Sequence, residues 1–204
     1  MNGKYDVDLE KVALSWEMAS EAAERRTGAM SAYSSLELNG RIFPGDRPFE
    51  LRWDIITSQF EFADKRVLDC GCYLGLFSTF LKIHFQAQCV AFDRELRYCE
   101  AAALFASAFS LPITIHNVDL NSDHDWEQTL ASDYDVALVL NIWKYCRDKR
   151  RLVAMLSRIP ALILEGEVSQ ETEMVEHLAQ HGFVRRDALG LSERNRTIFL
   201  LRKA

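Results

Sequence analysis

A glycine-containing turn lies in residues 65–82, KRVLDCGCYLGLFSTFLK, between a predicted buried strand and a predicted helix. It contains Asp69, Gly71 and Gly75 in the pattern D-x-G-x-x-x-G. The glycines allow a sharp turn and the close approach of a ligand, and the helix N-terminus offers free N–H groups to a carboxylate or hydroxyl. Asp69 adds an acceptor for an ammonium group. An amino-acid group carries both charges and fits this turn better than a pyrophosphate; the alternative is a purely structural turn.

Two further carboxylates indicate what else the ligand contains. Asp93 ends the next strand, about 20 positions after the glycine turn, where two carboxylate oxygens match the vicinal hydroxyls of a ribose. Asp119 follows the third strand on the same sheet edge and is placed to accept from an adenine amino group. NAD is not favoured as the ligand, because Asp69 and Leu74 occupy the positions at which a dinucleotide-binding motif has its first and third glycines. These positions together predict a nucleoside attached to an amino acid.

Alternating strands and helices position these residues. Apolar runs predict strands at 66–70, 88–92, 112–116, 134–141 and 161–165, with helical patterns between them at 75–85, 94–109, 148–157 and 170–181. Such an order with apolar strands predicts an α/β fold, a mostly parallel sheet covered on both faces. Residues 182–188 and 197–203 flank a turn-like segment and predict a closing antiparallel hairpin, which brings the sheet to seven strands.

The N-terminal quarter of the chain follows a different pattern. Residues 8–26 place apolar side chains on one helical face, with Asp8 as the N-cap and Gly28 as the stop. Residues 29–49 lose periodicity and collect turn signals, which predicts an ordered irregular segment before a short helical pattern resumes at WDIITSQF. We therefore divide the chain into residues 1–49, an N-terminal helix with an irregular lid segment, and residues 50–204, the ligand-binding domain.

Composition sets bounds on the class of protein. The 204 residues fit one principal domain, and the formal net charge of −6 opposes an electrostatic grip on long nucleic acid. Five cysteines without framework spacing predict reduced thiols. The N-terminus lacks a signal-peptide pattern and no apolar run approaches the ~20 residues that cross a bilayer, so the expectation is a cytoplasmic protein without membrane insertion.

Four motifs carry a resemblance to a known family. VLDCGCYLG, AFD, NVDL and YDVALVLNIW resemble, in order and spacing, the successive cofactor motifs of class I S-adenosylmethionine-dependent methyltransferases, over roughly residues 30–203. The resemblance implies a Rossmann-like three-layer sandwich and S-adenosyl-L-methionine as the cofactor. The preceding run YSSLELNGRIFPG, residues 33–45, is similar to the corresponding segment of bacterial methyltransferase-domain proteins related to the tRNA wobble-uridine modification enzymes.

The resemblance also implies which residues bind the cofactor. Asp69, Gly71 and Gly75 would surround its methionine end, and Asp93 would bind the ribose. The adenine would lie at Asp119 and Leu120. The full set of cofactor-binding candidates is Asp69, Gly71, Cys72, Gly75, Asp93, Asp119, Leu120 and Asn141. For Cys72 the alternative is simple packing, because cysteine is among the most buried residue types.

The acceptor is expected to reach the cofactor from the segment after the fourth strand and from the lid segment. Because the sulfonium methyl is already activated, the enzyme gains most by holding a nucleophile in line with it, and a base is needed only if that nucleophile must lose a proton. The catalytic candidates are Asn141, Tyr145 and Glu165, and the substrate-contact candidates are Tyr33, Arg41, Trp143 and Lys144, with Arg52 beside them. For each of these substrate-contact candidates, the alternative is a side chain that packs in the protein interior or is exposed to solvent. Many methyltransferases that act on amino groups of nucleobases and glutamine carry a [D/N]-P-P-[Y/F] motif. The segment Asn141-Ile-Trp-Lys lacks both of its prolines, which argues against methylation of such amino groups.

The predicted function is transfer of a methyl group to oxygen or nitrogen of a small-molecule or sugar- or lipid-linked acceptor. The alternatives are a tRNA-modifying methyltransferase, which the acidic charge opposes, and a non-catalytic cofactor-binding scaffold. No metal is expected: His177 and His181 lack the rest of a zinc motif, and Asp123-His124-Asp125 is typical of a loop and helix N-cap. The sequence does not identify the methyl acceptor or the oligomeric state, nor whether the transferred group is methyl or a modified methyl group.

Overall fold

The structure is a computed structural model that describes residues 4–28, 32–122 and 126–204. Its helices are α1 (Leu9–Thr27), α2 (Phe49–Thr57), α3 (Leu76–Phe85), α4 (Leu96–Ala108), α5 (Trp126–Thr129), α6 (Lys149–Leu156) and α7 (Glu171–Ala179). Its strands are β1 (Leu36–Leu38), β2 (Arg41–Phe43), β3 (Arg66–Cys70), β4 (Gln88–Asp93), β5 (Thr114–Asn117), β6 (Val136–Leu140), β7 (Ala161–Glu165), β8 (Phe183–Leu191) and β9 (Thr197–Lys203). Single 3₁₀ turns span Trp143–Tyr145 and Val168–Gln170.

The main sheet has seven strands in the order β5-β4-β3-β6-β7-β9-β8. Strands β3 to β7 pair in parallel, whereas β9 runs antiparallel to both β7 and β8. This confirms the predicted mostly parallel sheet and its C-terminal antiparallel hairpin. The strand order reverses beside β3, which pairs with β4 on one side and β6 on the other, and ligands of open α/β sheets bind at such a reversal.

Two apolar cores cover the two faces of this sheet. Alternate strand residues face opposite sides, so that Val67 belongs to one core and Leu68 to the other. The first core packs the sheet against α1 to α4, for example through the buried Trp16 and Phe80. The second packs it against α5 to α7, for example through the fully buried Leu156. The three-layer prediction is confirmed.

Helix α1 forms as predicted, from its cap to its stop. The Asp8 carboxylate accepts from the backbone N–H groups of Glu10 and Lys11, each at 3.2 Å. Gly28 ends the helix with a φ of +75°, and its N–H donates to the carbonyl of Glu24 at 2.8 Å. The indole N–H of Trp16 donates to the Pro44 carbonyl at 2.8 Å, which ties α1 to the lid segment.

We expect Asp8→Ala to lower the free energy of unfolding by about 1 kcal/mol, because two N–H groups of the first helical turn lose their acceptor. Urea-induced unfolding followed by circular dichroism measures this change. The neighbouring exposed Asp6→Ala removes the same charge outside the helix and should change stability by less than half as much. Equal effects of the two substitutions would show that the cap contributes nothing.

The lid segment is more regular than predicted. Residues 36–43 form a β-hairpin, in which Leu36 pairs with Phe43 across a turn at Asn39 and Gly40. Both turn residues have positive φ, +50° and +80°, as a tight two-residue hairpin turn requires. The prediction of a wholly irregular segment is wrong over these residues, because strands of three residues are too short for alternation to be recognised.

Two further features bear on the sequence-based expectations. In the described part of the chain, none of the helices combines the length and apolar character that a membrane span requires. All five cysteines lie within the described residues as buried free thiols. Asp123-His124-Asp125, predicted to be a loop and helix cap, lies outside the described residues.

Candidate cofactor and acceptor site

A cavity of about 250 Å³ opens at the carboxyl ends of the parallel strands, beside the reversal of strand order. Its walls come from the loops that follow β3, β4, β5 and β6. The end of α1 closes one side through Ala23 and Arg26, and the lid segment contributes Tyr33 and Asp46. The cavity therefore occupies the place that the sequence predicts for the ligand, and the N-terminal segment covers it.

The glycine turn after β3 needs glycine at residue 71 for two reasons. Gly71 has a φ of +73°, and a Cβ atom there would lie 2.4 Å from Cγ2 of Ile142. The N–H groups of Gly71 and Cys72 both donate to the Phe92 carbonyl at 2.9 Å, which fixes the turn against β4. Because Gly71 lacks a side chain, its backbone forms part of the cavity wall, where a ligand can approach closely.

The carboxylate of Asp93 is held in place at the end of β4. It accepts from the Tyr73 N–H at 3.0 Å and from the Glu95 N–H at 3.1 Å, one bond to each oxygen. Burial raises the pKa of Asp93, although these bonds and the charge of Arg26 oppose the rise. Each oxygen keeps a further acceptor site, so the fixed carboxylate suits two neighbouring hydroxyl groups of a ligand.

Asp119 and Leu120 form another wall of the same cavity. The Asp119 carboxylate accepts from the backbone N–H of Asn121 at 2.9 Å and from its side-chain amide at 3.0 Å. Partial burial raises the pKa of Asp119, but hydrogen bonds from Asn121 and Ser122 outweigh it, and the net pKa is lowered. The carboxylate is therefore charged at neutral pH and remains an acceptor for an amino group.

Asn141 lies at the end of β6 in an unusual conformation. Its φ is +63°, its N–H donates to the Glu165 carbonyl at 2.6 Å, and its side chain is buried beside the cavity. Its Nδ2 lies 3.5 Å from the Tyr33 hydroxyl, while its Oδ1 has no hydrogen-bond partner among the described residues. A buried acceptor without a donor is uncommon and suggests that a ligand supplies one, such as an ammonium group.

The eight predicted cofactor residues divide into two groups. Those that line the cavity are Gly71, Asp93, Asp119, Leu120 and Asn141, whereas Asp69, Cys72 and Gly75 lie behind its wall. Asp69 points toward α3 and accepts from the Ser78 hydroxyl at 2.7 Å, and burial raises its pKa to about 6. Cys72 packs against Ala102. These three residues support the turn from inside the protein.

Of the predicted catalytic and substrate residues, Tyr33, Asn141 and Tyr145 line the cavity. Glu165 is fully buried outside the lining, and its carboxylate accepts from the Ser192 hydroxyl at 2.6 Å. Trp143 is also fully buried and lies against the His177 ring. Lys144 pairs with Glu167 at 2.7 Å. Arg41 lies on the hairpin, where it pairs with Glu10 at 3.5 Å.

Sequence reasoning missed several residues of the cavity wall. Tyr73, inside the glycine turn, stacks edge-on with Tyr98 at 4.7 Å between ring centroids, and its hydroxyl accepts from the Tyr33 N–H at 3.0 Å. Arg26 and Arg94 lie over the Tyr145 ring at 5.0 and 5.2 Å. Tyr73 was recognisable from its place in the motif, but the arginines reach the cavity only through tertiary packing.

Gly45 packs closely against the backbone of Ser34 within the same lid segment. A Cβ atom at this position would lie 2.0 Å from the Ser34 carbonyl oxygen, so a side chain would displace Ser34 and the adjacent Tyr33. We expect Gly45→Ala to lower the free energy of unfolding by about 2 kcal/mol, measured by urea-induced unfolding. The matched control is Gly166→Ala, whose nearest neighbour is the flexible end of Met174 at 3.2 Å. A larger loss in the control would contradict this explanation.

Within the described ranges, no three His, Cys, Asp or Glu side chains come together in an arrangement that could hold a metal ion. The cavity is lined by carboxylates, amides, tyrosines and arginines. This set of groups suits hydrogen bonding to a polar organic ligand.

The sequence matches no family model and no curated protein, but solved structures resemble the fold. EvdMO1 is 14% identical, with a TM-score of 0.62 over 83% of this chain and 44% of that one. The bifunctional kinase-methyltransferase WbdD is 21% identical, with a TM-score of 0.58 over 78% and 40% of the two chains. The 16S rRNA methyltransferase RmtF, in complex with S-adenosyl-L-homocysteine, is 18% identical, with a TM-score of 0.54 over 76% and 62%.

The chain spans less than two thirds of the length of each of these three proteins. At such identities the likeness concerns the fold. The fold is shared with WbdD and RmtF, both of which are methyltransferases. The chain thus has the Rossmann-like α/β fold of methyltransferases.

Proposed function

We propose that the protein is an S-adenosyl-L-methionine-dependent methyltransferase. The observation that carries this proposal is the convergence of Gly71, Asp93 and Asn141 on one cavity at the reversal of strand order. The fold shared with WbdD and RmtF supports it, since both are methyltransferases and RmtF was solved with S-adenosyl-L-homocysteine.

The residues present fit the cofactor from end to end. Asp93 would bind the ribose hydroxyls, and Asp119 with Leu120 would hold the adenine. The backbone at Gly71 and the unpartnered Oδ1 of Asn141 would bind the amino-acid end, because a buried acceptor there suits an ammonium group. When bound, the cofactor supplies an activated methyl group on a sulfonium centre.

The side of the cavity formed by Tyr33 and Asn141 is the proposed acceptor side. The proposed acceptor is a small molecule or a sugar- or lipid-linked metabolite that is methylated at oxygen or nitrogen. A tRNA acceptor is less well supported, because the chain carries a net charge of −6 and exposed basic side chains such as Arg25, Arg97 and Arg186 are paired with carboxylates.

Titration calorimetry tests the proposed function. Purified protein of residues 1–204 is titrated with S-adenosyl-L-homocysteine and, in parallel, with NAD and AMP. We expect one-to-one binding of S-adenosyl-L-homocysteine, with NAD and AMP at least about tenfold weaker because neither presents an amino-acid group to Asn141. No binding by protein that circular dichroism shows to be folded would refute the proposal.

Binding alone does not distinguish an enzyme from a cofactor-binding scaffold. Incubation with methyl-labelled S-adenosyl-L-methionine and pools of small acids, sugars and phosphate esters makes the distinction. Label transfer that requires the folded protein supports the enzyme. Binding without any transfer across the pools, or to purified tRNA, supports the scaffold.

A further inference from the structure

A network of arginines and carboxylates is buried beside Tyr33, on the proposed acceptor side of the cavity. Arg47 and Arg52 are only 1% and 3% exposed. Their guanidinium carbons lie 4.4 and 5.3 Å from the centroid of the Tyr33 ring. Two buried positive charges thus flank one aromatic ring that lines the cavity. Buried guanidinium groups are costly unless carboxylates and hydrogen bonds compensate them fully.

The compensation is incomplete. Nε of Arg47 and Oε1 of Glu193 approach to 3.1 Å, yet neither atom makes a hydrogen bond in the described part of the chain. Nη1 of Arg52 lies 3.6 Å from Oε2 of Glu165, beyond hydrogen-bond distance. Across residues 32–122 and 126–204, Nε of Arg52 and Nη1 of Arg196 also lack hydrogen-bond partners. Three buried guanidinium N–H groups therefore lack a hydrogen-bond partner among the described residues, as do Oε2 of Glu165 and both carboxylate oxygens of Glu193.

The ion pairs of this network contain more cations than carboxylates. Arg47 pairs with Glu193, and Arg52 pairs with Glu165. Glu167 is shared by two cations, Arg196 and Lys144. In these ion pairs four positive side chains share three carboxylates. Two further carboxylates lie close by: Asp69, where burial raises the pKa and the charge of Arg52 opposes that rise, and Asp46, which lines the cavity with Tyr33.

Tyr33 connects the network to the cavity. Its hydroxyl accepts from Nη1 of Arg47 at 2.6 Å and lies 3.5 Å from Nδ2 of Asn141. Because both acceptor sites of the oxygen face donors, its own proton is available to an acceptor in the cavity that Tyr33 lines. A hydroxyl backed by guanidinium groups in this way is a strong donor to an anionic oxygen.

We propose that the methyl acceptor carries an anionic oxygen group, a phosphate or a carboxylate, which the Tyr33 hydroxyl binds with Arg47 and Arg52 behind it. This inference rests on the proposed function and names its substrate class. A lone pair of the acceptor oxygen forms the new bond to the methyl carbon as the carbon–sulfur bond breaks, and the electrons of that bond pass to sulfur. No proton moves, so the reaction requires no catalytic base.

Thermal unfolding of the full chain, without and with saturating S-adenosyl-L-homocysteine, tests the anion site. The protein is titrated with inorganic phosphate or with acetate, each against sodium chloride at matched ionic strength. The proposal expects at least one of the two anions to raise the melting temperature above the chloride control. A rise with phosphate alone assigns a phosphate ester, and one with acetate alone assigns a carboxylate; a rise with both supports the shared chemistry. A rise with neither overturns the proposal. An anion effect that S-adenosyl-L-homocysteine abolishes assigns the site to the carboxylate of the cofactor and also overturns the proposal.

Two variants test whether the anion binds at Tyr33 and Arg52. Tyr33→Phe retains the ring but removes the hydroxyl, and Arg52→Gln removes one charge. Each is expected to weaken anion binding about tenfold, Tyr33→Phe because the hydrogen bond to the anion is lost and Arg52→Gln because a buried positive charge behind the ring is lost. Arg97→Gln removes the same charge from an exposed arginine paired with Glu100 and should leave binding unchanged. If Arg52→Gln does not fold, Tyr33→Phe still decides, and wild-type affinity in Tyr33→Phe overturns the proposal.

The inference and the proposed function fail in different ways. If S-adenosyl-L-homocysteine binds but neither anion does, the function stands and the anionic acceptor is wrong. If an anion binds but S-adenosyl-L-homocysteine does not, the assignment of the anion as a methyl acceptor falls with the proposed function.

Discussion

We expect Asp93→Ala to weaken the binding of S-adenosyl-L-homocysteine by a factor of about 100 to 10,000. The Asp93 carboxylate is fixed by N–H groups of Tyr73 and Glu95, one on each oxygen, and faces the cavity. Each ribose hydroxyl would lose a hydrogen bond to a charged group, which is worth roughly 1.5–3 kcal/mol. Two such bonds give the expected range. Titration calorimetry measures it directly.

Two further variants, Asp93→Asn and Asp54→Asn, serve as controls for this result. Asp93→Asn keeps an acceptor for one backbone N–H but loses the charge, so its affinity should fall between those of the wild type and Asp93→Ala. Asp54→Asn makes the same change on the exposed surface of α2 and should bind as the wild type does. If Asp93→Asn retains the full affinity while both proteins are folded, the ribose assignment is wrong.

The positions after the strands were predictable because their chemistry is local. Gly71 follows β3, Asp93 ends β4 and Asp119 follows β5, and the ends of neighbouring parallel strands meet at one edge of the sheet. Side-chain direction was harder to predict for Asp69. It precedes the turn, but alternation along β3 places it on the face of Val67, where it meets Ser78 of α3.

The arginine network could not be predicted as a unit. Sequence reasoning singled out Tyr33 and Arg52 separately, as candidates for contacts to a substrate. Arg47, Glu193 and their neighbours carry no local motif, because they come from the lid segment and from the turn between β8 and β9. Only the packing of these distant segments on the carboxyl ends of β6 and β7 brings the charges together.

The raised pKa of the Asp69 carboxyl is expected to make the stability of the protein depend on pH. Burial raises the pKa of this carboxyl from 3.8 to about 6 in the folded protein. Between these values the unfolded chain releases the proton that the folded protein still holds, so the contribution of Asp69 to stability falls as pH rises from about 4 to 6. The loss is about 3 kcal/mol, because one pKa unit corresponds to about 1.36 kcal/mol. Above pH 6 this contribution is constant.

Asp69→Asn removes the titration and keeps an acceptor for the Ser78 hydroxyl. The difference in the free energy of unfolding, variant minus wild type, should therefore increase by about 3 kcal/mol between pH 4 and pH 7. Urea-induced unfolding at a series of pH values measures it. The pKa of Asp93 is also raised by burial, and its charge is one of the causes that raise the pKa of Asp69, so its contribution cancels from the difference only in part. A difference that stays constant with pH would show that Asp69 titrates normally in the folded protein and is not desolvated beneath α3.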